Sequence, residues 1–361
     1  MQLWLLVIAG LVGCAKDDGS PVVDDSDGPL QWDLLQPGPH AVGYRFETIT
    51  YTTRDGRERS VGLGAWYPTD DTAGGEIRYT DGFPAPLDGI LGDAAPAAPD
   101  LAGGWPLVVH SHGHQATHGS GQVVGAWLAS HGWLVVAPDH LPDTFSTIVS
   151  GGSTPPEHWI DRPSDVTAAL DHVAALPEGH PFAGKVDAHQ ALLTGHSRGV
   201  STLWTTLGCS FDAASIPGNC PGCAQASLDV LAEGMDDPRF VAGTALAGSY
   251  PDGLCGSEGY AGVAEPVLSL SGSANDVGQA GLAAKVPTVD LTQVDLDGGC
   301  HESFASGLPC PTLDTDLGFR VIGVYTLAFA RQRLLGDDSA ATAAVLDGST
   351  VVDAVARVNP F

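Results

Sequence analysis

The sequence predicts an α/β fold with a mostly parallel central sheet and helices on both faces, and two observations carry that prediction. Short apolar strands alternate with helical stretches along most of the chain, the order that yields parallel strands joined by helical crossovers. One of those strands, at residues 191–194, runs without a loop into a helix at 198–207, through Gly195-His196-Ser197-Arg198-Gly199. The 361-residue length fits a single α/β domain, and a 43% hydrophobic composition is ample for its core.

Taken in order, residues 44–53 and 60–67 read as two strands around the turn Asp55-Gly56. A loop rich in Pro, Gly and Ala spans 68–104. An apolar strand at 106–110, a helix at 121–130 and a buried strand at 133–137 follow. After a Gly/Ser/Pro-rich loop at 143–156 comes a helix at 161–176, with Val166, Ala169, Leu170, Val173 and Ala174 on one face. Beyond the strand–helix unit at 191–207, strands are expected at 240–246, 267–271 and 288–294, and a helix at 319–334. The expected domain is 41–336, with a Cys-bearing insertion at 208–235 and a C-terminal extension at 337–361.

The ends of the chain and its charge bound the setting. Residues 3–12 form an apolar run too short to span a bilayer, ending in small residues. Leu11-Val12-Gly13-Cys14 resembles the lipobox of bacterial lipoprotein signal peptides. The resemblance implies cleavage before Cys14 and lipidation of that cysteine, although Met1-Gln2 supplies no positive flank; the other reading is an ordinary secretory signal with a chance Cys. Ala15 is not the Asp associated with inner-membrane retention, so an outer-membrane location or secretion is expected. An acidic flexible tether is expected over 14–40, with Asp24, Asp25 and Asp27 lacking the spacing of a calcium loop. With 15 Lys+Arg against 43 Asp+Glu, the net charge of −28 disfavours nucleic acid and anionic lipid as partners. The expected partner is an ester, small or polymeric, with membrane contact only through the lipid at Cys14; a monomer is expected.

Six further cysteines remain: Cys209, Cys220, Cys223, Cys255, Cys300 and Cys310. An even count in an exported chain favours structural disulfides, with fifteen pairings open. Cys300 and Cys310 are close enough in sequence for a local bridge. The alternative is that Cys300 pairs with one of the other four and anchors the insertion.

Gly195 to Gly199 fits G-x-S-x-G between a strand and a helix, the nucleophile elbow of α/β-hydrolases. Small residues two before and two after Ser197 let the backbones approach, and the helix N-terminus favours a developing oxyanion. A serine nucleophile needs a base and the base an orienting acid, in the chain order Ser, acid, His. His301 lies in the Gly-rich loop Asp297-Gly298-Gly299-Cys300-His301, between the last strand and the C-terminal helix, where the base is expected. Asp276, just past the strand at 267–271, is the expected acid; its other reading is a helix N-cap. The backbone N–H groups of His114 and Arg198 are the expected oxyanion donors. No cofactor is required.

Pro106-Leu107-Val108-Val109-His110-Ser111-His112-Gly113, Leu128-Ala129-Ser130-His131-Gly132-Trp133 and Gly195-His196-Ser197-Arg198-Gly199 resemble segments of chlorophyllases and platelet-activating-factor acetylhydrolases. They are similar also to bacterial cutinase-like polyester hydrolases, over residues 44–335. These resemblances imply carboxylic-ester hydrolysis. The families differ in where the acid sits. In the first two it follows the strand matching 240–246, where this chain continues Ala247-Gly248-Ser249 and offers only Asp252. The cutinase-like enzymes carry it in a segment similar to 272–276, which favours Asp276 and keeps Asp252 in reserve.

Two other classes compete. His110-x-His112-x-His114 is similar to the histidine cluster of metallo-β-lactamase-like zinc hydrolases, but the Asp and adjacent His of that motif are missing. A non-catalytic binding lipoprotein on the same fold is disfavoured by the complete Ser, acid and His set.

Overall fold

The computed structural model describes residues 28–79, 82–248, 252–256, 258–274, 281–353 and 356–359. Strands β1 (Ala41–Thr52) and β2 (Glu58–Thr69) form an antiparallel hairpin, and β3 (Ile90–Gly92) lies parallel to β1 inside the long loop. The parallel body consists of β4 (Trp105–Ser111), β5 (Leu134–Pro138), β6 (Val186–His196), β7 (Phe240–Leu246), β8 (Val267–Gly272) and β9 (Leu291–Leu296). A short antiparallel strand, β10 (Ala356–Val358), closes the far edge, giving the order β10-β9-β8-β7-β6-β4-β5-β2-β1-β3.

The parallel strands carry apolar runs through the middle of the sheet, as at residues 107–109, 134–136 and 191–193, because helices cover both sheet faces. Successive residues alternate between the two layers. Val108, Val135 and Leu192 pack with α1 (Gln122–Ser130), while Leu107, Val109, Leu134, Val136 and Leu193 face the other way. Of the helices that follow, α2 (Phe145–Val149) is a short turn within the loop expected at 143–156. The second layer is formed by α3 (His158–Ala174) and α4 (Arg198–Thr206), through Val166, Leu170, Leu203 and Trp204.

The insertion forms α5 (Ile216–Asn219) and α6 (Gln225–Glu233), which bury Ile216, Val230 and Leu231 against Ile160 and Leu254 in a small separate cluster. Two disulfides staple it: Cys220–Cys223 within it, and Cys209–Cys255 to α7 (Asp252–Cys255). After α8 (Leu282–Lys285), the long helix α9 (Thr315–Leu335) packs beside α1 in the first layer. Asp314 caps its start by accepting from the Leu317 N–H at 3.0 Å, and Gly336 ends it in the left-handed conformation. The C-terminal extension folds back as α10 (Ala340–Leu346), burying Val345 and Val352, before supplying β10.

Three local differences have physical reasons. Helix α3 starts at His158, one turn earlier than periodicity suggests, and so takes Pro163 into its body. The last parallel strand is shifted to Leu291–Leu296, where Leu291 and Val294 pair in register with Val267 and Leu270 of β8. The part of the expected tether that is described, residues 28–40, lies against the domain: Leu34 is buried, and Arg331 donates to the carbonyls of Pro29, Leu30 and Trp32. Residues 1–27, which include Cys14, lie outside the described residues. Among those described, no helix is long and apolar enough to cross a membrane.

The chain proceeds from β4 to β5 on one side, then returns to place β6 on the other side of β4. Such a reversal opens a crevice past the carboxyl ends of the two strands, where ligands bind in open α/β sheets. Ser111 at the end of β4 is in register with Gly195 near the end of β6. The histidine-rich loop and the Ser197 turn therefore meet at that crevice.

Candidate active site

Ser197 stands between β6 and α4 with φ +53° and ψ −115°, a conformation that costs a non-glycine residue energy and persists only where the surroundings impose it. They do so here. The Ser197 N–H donates to Leu246 of β7 at 3.0 Å, and its carbonyl accepts from the Val200 N–H at 3.0 Å. The flanking glycines are required by contact: a Cβ on Gly195 would strike the Gly199 carbonyl, and one on Gly199 would strike the carbonyl of Ser111. The turn brings the hydroxyl to the first turn of α4, whose N–H groups lack intrahelical acceptors.

His301 comes from the loop after β9, at the start of a single helical turn, His301–Phe304. Its Nε2 is 2.9 Å from Ser197 Oγ. The turn is capped by Cys300, whose own N–H donates to Ser303 Oγ at 3.1 Å, and Cys300 is bridged to Cys310 with 5.7 Å between Cα atoms. Burial lowers the His301 pKa below the ordinary histidine value, opposed in part by the Glu302 charge and the Ala247 carbonyl. That shift favours the neutral ring, whose Nε2 can accept a proton. Its Nδ1 is buried and has no well-formed hydrogen bond among the described residues.

Asp276 lies outside the described residues. The chain leading to it is tied to the histidine loop: the Ala274 N–H donates to Gly299 at 3.0 Å, and the Gly298 N–H to Ser273 Oγ at 2.8 Å. Asp252 begins α7, past the end of β7.

The histidines after β4 do not converge. His110 Nδ1 faces Thr194 Oγ1 at 2.9 Å, and His112 Nε2 accepts the His140 N–H at 2.9 Å. His118 lies between Asp139 and the Tyr44 hydroxyl, and His114 Nδ1 is 2.8 Å from Asp143. Among the described residues no group of three His, Cys, Asp or Glu side chains is placed to hold a metal ion. His114 instead borders the crevice together with Gly113, which packs against Ser197. Arg198 is the first residue of α4.

A cleft of about 500 Å³ opens over Ser197 and His301. Its wall is chiefly apolar, formed by Phe83, Phe145, Ala116, Ala305 and Leu308, with Gln115, Ser120, Glu302 and Ser306 among its polar elements. Phe83 and Phe145 stack at 5.0 Å between ring centroids and 24° between planes. They come from the two long loops, and no periodic pattern marks them. A second cavity, of about 430 Å³, lies near the start of β7, where Arg239 is already paired with Asp171 and Asp237.

His196 is a site residue that sequence reasoning passed over. Burial drives its pKa down to about 3, so it is a neutral hydrogen-bonding group. Its Nε2 meets the His301 carbonyl at 3.1 Å, and the two rings lie 4.8 Å apart. The available signal was a polar ring soon after the apolar run at residues 191–193 and beside the nucleophile.

No protein-family model matches the chain, and no curated protein matches it either. Among solved structures, a ferulic acid esterase from Streptomyces cinnamoneus aligns with a TM-score of 0.61 at 19% identity, over 90% of this chain and 98% of that one. At that identity the likeness is one of fold, and with the sheet order and helical layers described above it shows that the chain has the α/β-hydrolase fold.

Proposed function

We propose that the chain is an exported serine hydrolase that cleaves carboxylic esters through an acyl-enzyme. The observation that carries this reading is the 2.9 Å approach of His301 Nε2 to Ser197 Oγ on a strained elbow. In the proposed reaction Ser197 Oγ attacks the ester carbonyl while His301 Nε2 takes its proton. The carbonyl electron pair moves to oxygen, where the N–H groups of His114 and Arg198 receive the charge. Collapse expels the alcohol, which takes the proton from His301. A water molecule then repeats the sequence, releasing the acid and restoring Ser197.

The His301 imidazolium formed midway calls for a carboxylate at Nδ1, and Asp276 is the residue we assign, with Asp252 in reserve. Asp276 is favoured because the three residues before Asn275 run against the loop that carries His301. Assignment to Asp276 is the cutinase-like arrangement, and Asp252 would be the chlorophyllase-like one. The preference for esters is supported by the apolar cleft and by analogy with the ferulic acid esterase.

Hydrolysis of p-nitrophenyl esters of graded acyl length, by the wild type and by Ser197→Ala and His301→Ala, tests the reading. Each substitution should cut kcat by at least 10³-fold, with the fold retained. Full activity in Ser197→Ala, or loss of wild-type activity to a chelator, would point to a different chemistry. Lipid anchoring of the exported chain is proposed at Cys14, for which the intact mass of the envelope-bound protein should show a chain starting at an acylated Cys14. An unmodified start elsewhere contradicts it.

A further inference from the structure

Two buried, oppositely charged residues grip the loop after β4 without lining the cleft. Arg162 of α3 and Asp143 are 2% and 1% exposed, in a region where a charge persists only when paired. Arg162 Nη2 donates to the His112 carbonyl, Nη1 to Asp143 Oδ2 at 3.2 Å, and Nε to Thr202 Oγ1 on α4 at 3.3 Å. Asp143 Oδ1 accepts the Gln115 N–H at 2.9 Å and the Thr154 hydroxyl at 2.8 Å, and it faces His114 Nδ1 at 2.8 Å. The His112 carbonyl and the Gln115 N–H, which bracket Gly113 and His114, are thus both fixed. Gln115 is held at φ +52°, which needs such support. The same guanidinium reaches α4, the helix that begins at Arg198.

We propose that Arg162 and Asp143 are positioning residues for ester hydrolysis, holding the His114 N–H in register with the Arg198 N–H so that both face the developing oxyanion. This rests on the reading of Ser197 and His301 given above. Burial lowers the Arg162 pKa only to about 10, partly offset by Asp143, so the group stays charged at neutral pH. The Asp143 carboxyl is held below the usual range: burial acts to raise it, and the Arg162 charge and the Thr154 hydroxyl outweigh that. A lysine at 162 would keep the charge but could not span His112, Asp143 and Thr202 together.

The test compares the wild type with Arg162→Lys, Asp143→Asn and Thr154→Val, each as the full chain. Competent sites are counted with a fluorophosphonate, so that kcat refers to folded, reactive enzyme. Each protein is given a p-nitrophenyl ester and the matching thionoester, whose sulfur is a poor acceptor for the oxyanion donors. Arg162→Lys and Asp143→Asn should lower kcat on the oxygen ester about 10- to 100-fold, with KM within about twofold. The thionoester rate should fall no more than about threefold, so the oxygen-to-sulfur rate ratio collapses. Thr154→Val, which leaves both charges paired, should shift the ratio the same way by about two- to fivefold. An unchanged ratio per titrated site, whatever happens to Tm, overturns the proposal; if the two charge variants fail to fold, Thr154→Val decides alone. A wild type with no titratable site refutes the serine-hydrolase reading and takes this proposal with it, whereas a titratable wild type with unaltered ratios refutes only the positioning role.

Discussion

Replacing Cys300 and Cys310 together by serine removes one bond from the loop that carries His301, and its two consequences can be separated. The bridge closes a loop of ten positions. In the chain-entropy model, releasing a loop of that size costs about 2.7 kcal/mol. With an unfolding entropy of about 2.1 cal/mol/K per residue, that is a Tm decrease of about 4 °C for a 361-residue chain. Serine at 300 can still cap the His301–Phe304 turn, and the Thr312 hydroxyl still holds the Gly298 carbonyl at 2.6 Å. What is lost is the constraint on the segment entering His301. Because misplacement by about 1 Å can cost 10²-fold, kcat should fall about tenfold at 25 °C, far below unfolding. Calorimetry gives the first number and ester turnover per titrated site the second. Mild reduction of the wild type should lower turnover before unfolding begins. A Tm decrease with kcat within twofold of wild type would refute a positioning role for the bridge and leave it as a staple.

The remaining expectations concern the acid and pH. Asp276→Ala should cost far more activity than Asp252→Ala in ester assays, and the reverse ranking would move the acid to the end of β7. The acid limb of the kcat/KM profile should have its midpoint below the ordinary histidine pKa, since burial depresses His301; a midpoint above it contradicts that environment. Stability should also fall steeply in acid. Burial lowers His110, His131 and His158 to about 4 and His196 to about 3, so these stay neutral in the fold while the unfolded chain protonates them below about pH 6.5. Their contribution is complete above that pH and is lost as pH falls toward 4. Asp165, raised to about 6 by burial, works the other way by one proton. Burial lowers His112 and His140 further still, so near pH 5 the unfolded chain binds the larger number of protons and stability falls as pH drops; denaturant titration measures the slope, and a stability that stays flat or rises in acid refutes it.

What could be read from the sequence was whatever steric necessity writes into local spacing. Gly195 and Gly199 must be small because the carbonyls of Gly199 and Ser111 occupy the space a side chain would take, so the elbow was legible. His301 was legible from its place after the last parallel strand. Arg162 and Asp143 were not, because 19 residues separate them and only the path of the chain from β5 through α2 to α3 brings them together. In the helix expected at 161–176 a charged residue reads as solvent-facing, yet Arg162 and Asp165 are buried by the loop and hairpin outside the helix. Phe83 and Phe145 meet only where two irregular loops cross, and the three-residue β10 carries no pattern at all.

The claim on which the rest depends is that Ser197 is a nucleophile activated by His301. Incubating the purified full chain with a fluorophosphonate and mapping the adduct by peptide mass spectrometry tests it directly. The account predicts one adduct per chain, on the peptide containing Ser197, absent in Ser197→Ala and formed at least 10²-fold more slowly in His301→Ala. Ester hydrolysis that persists while Ser197 carries no adduct, or an adduct on another residue that abolishes activity, would contradict it.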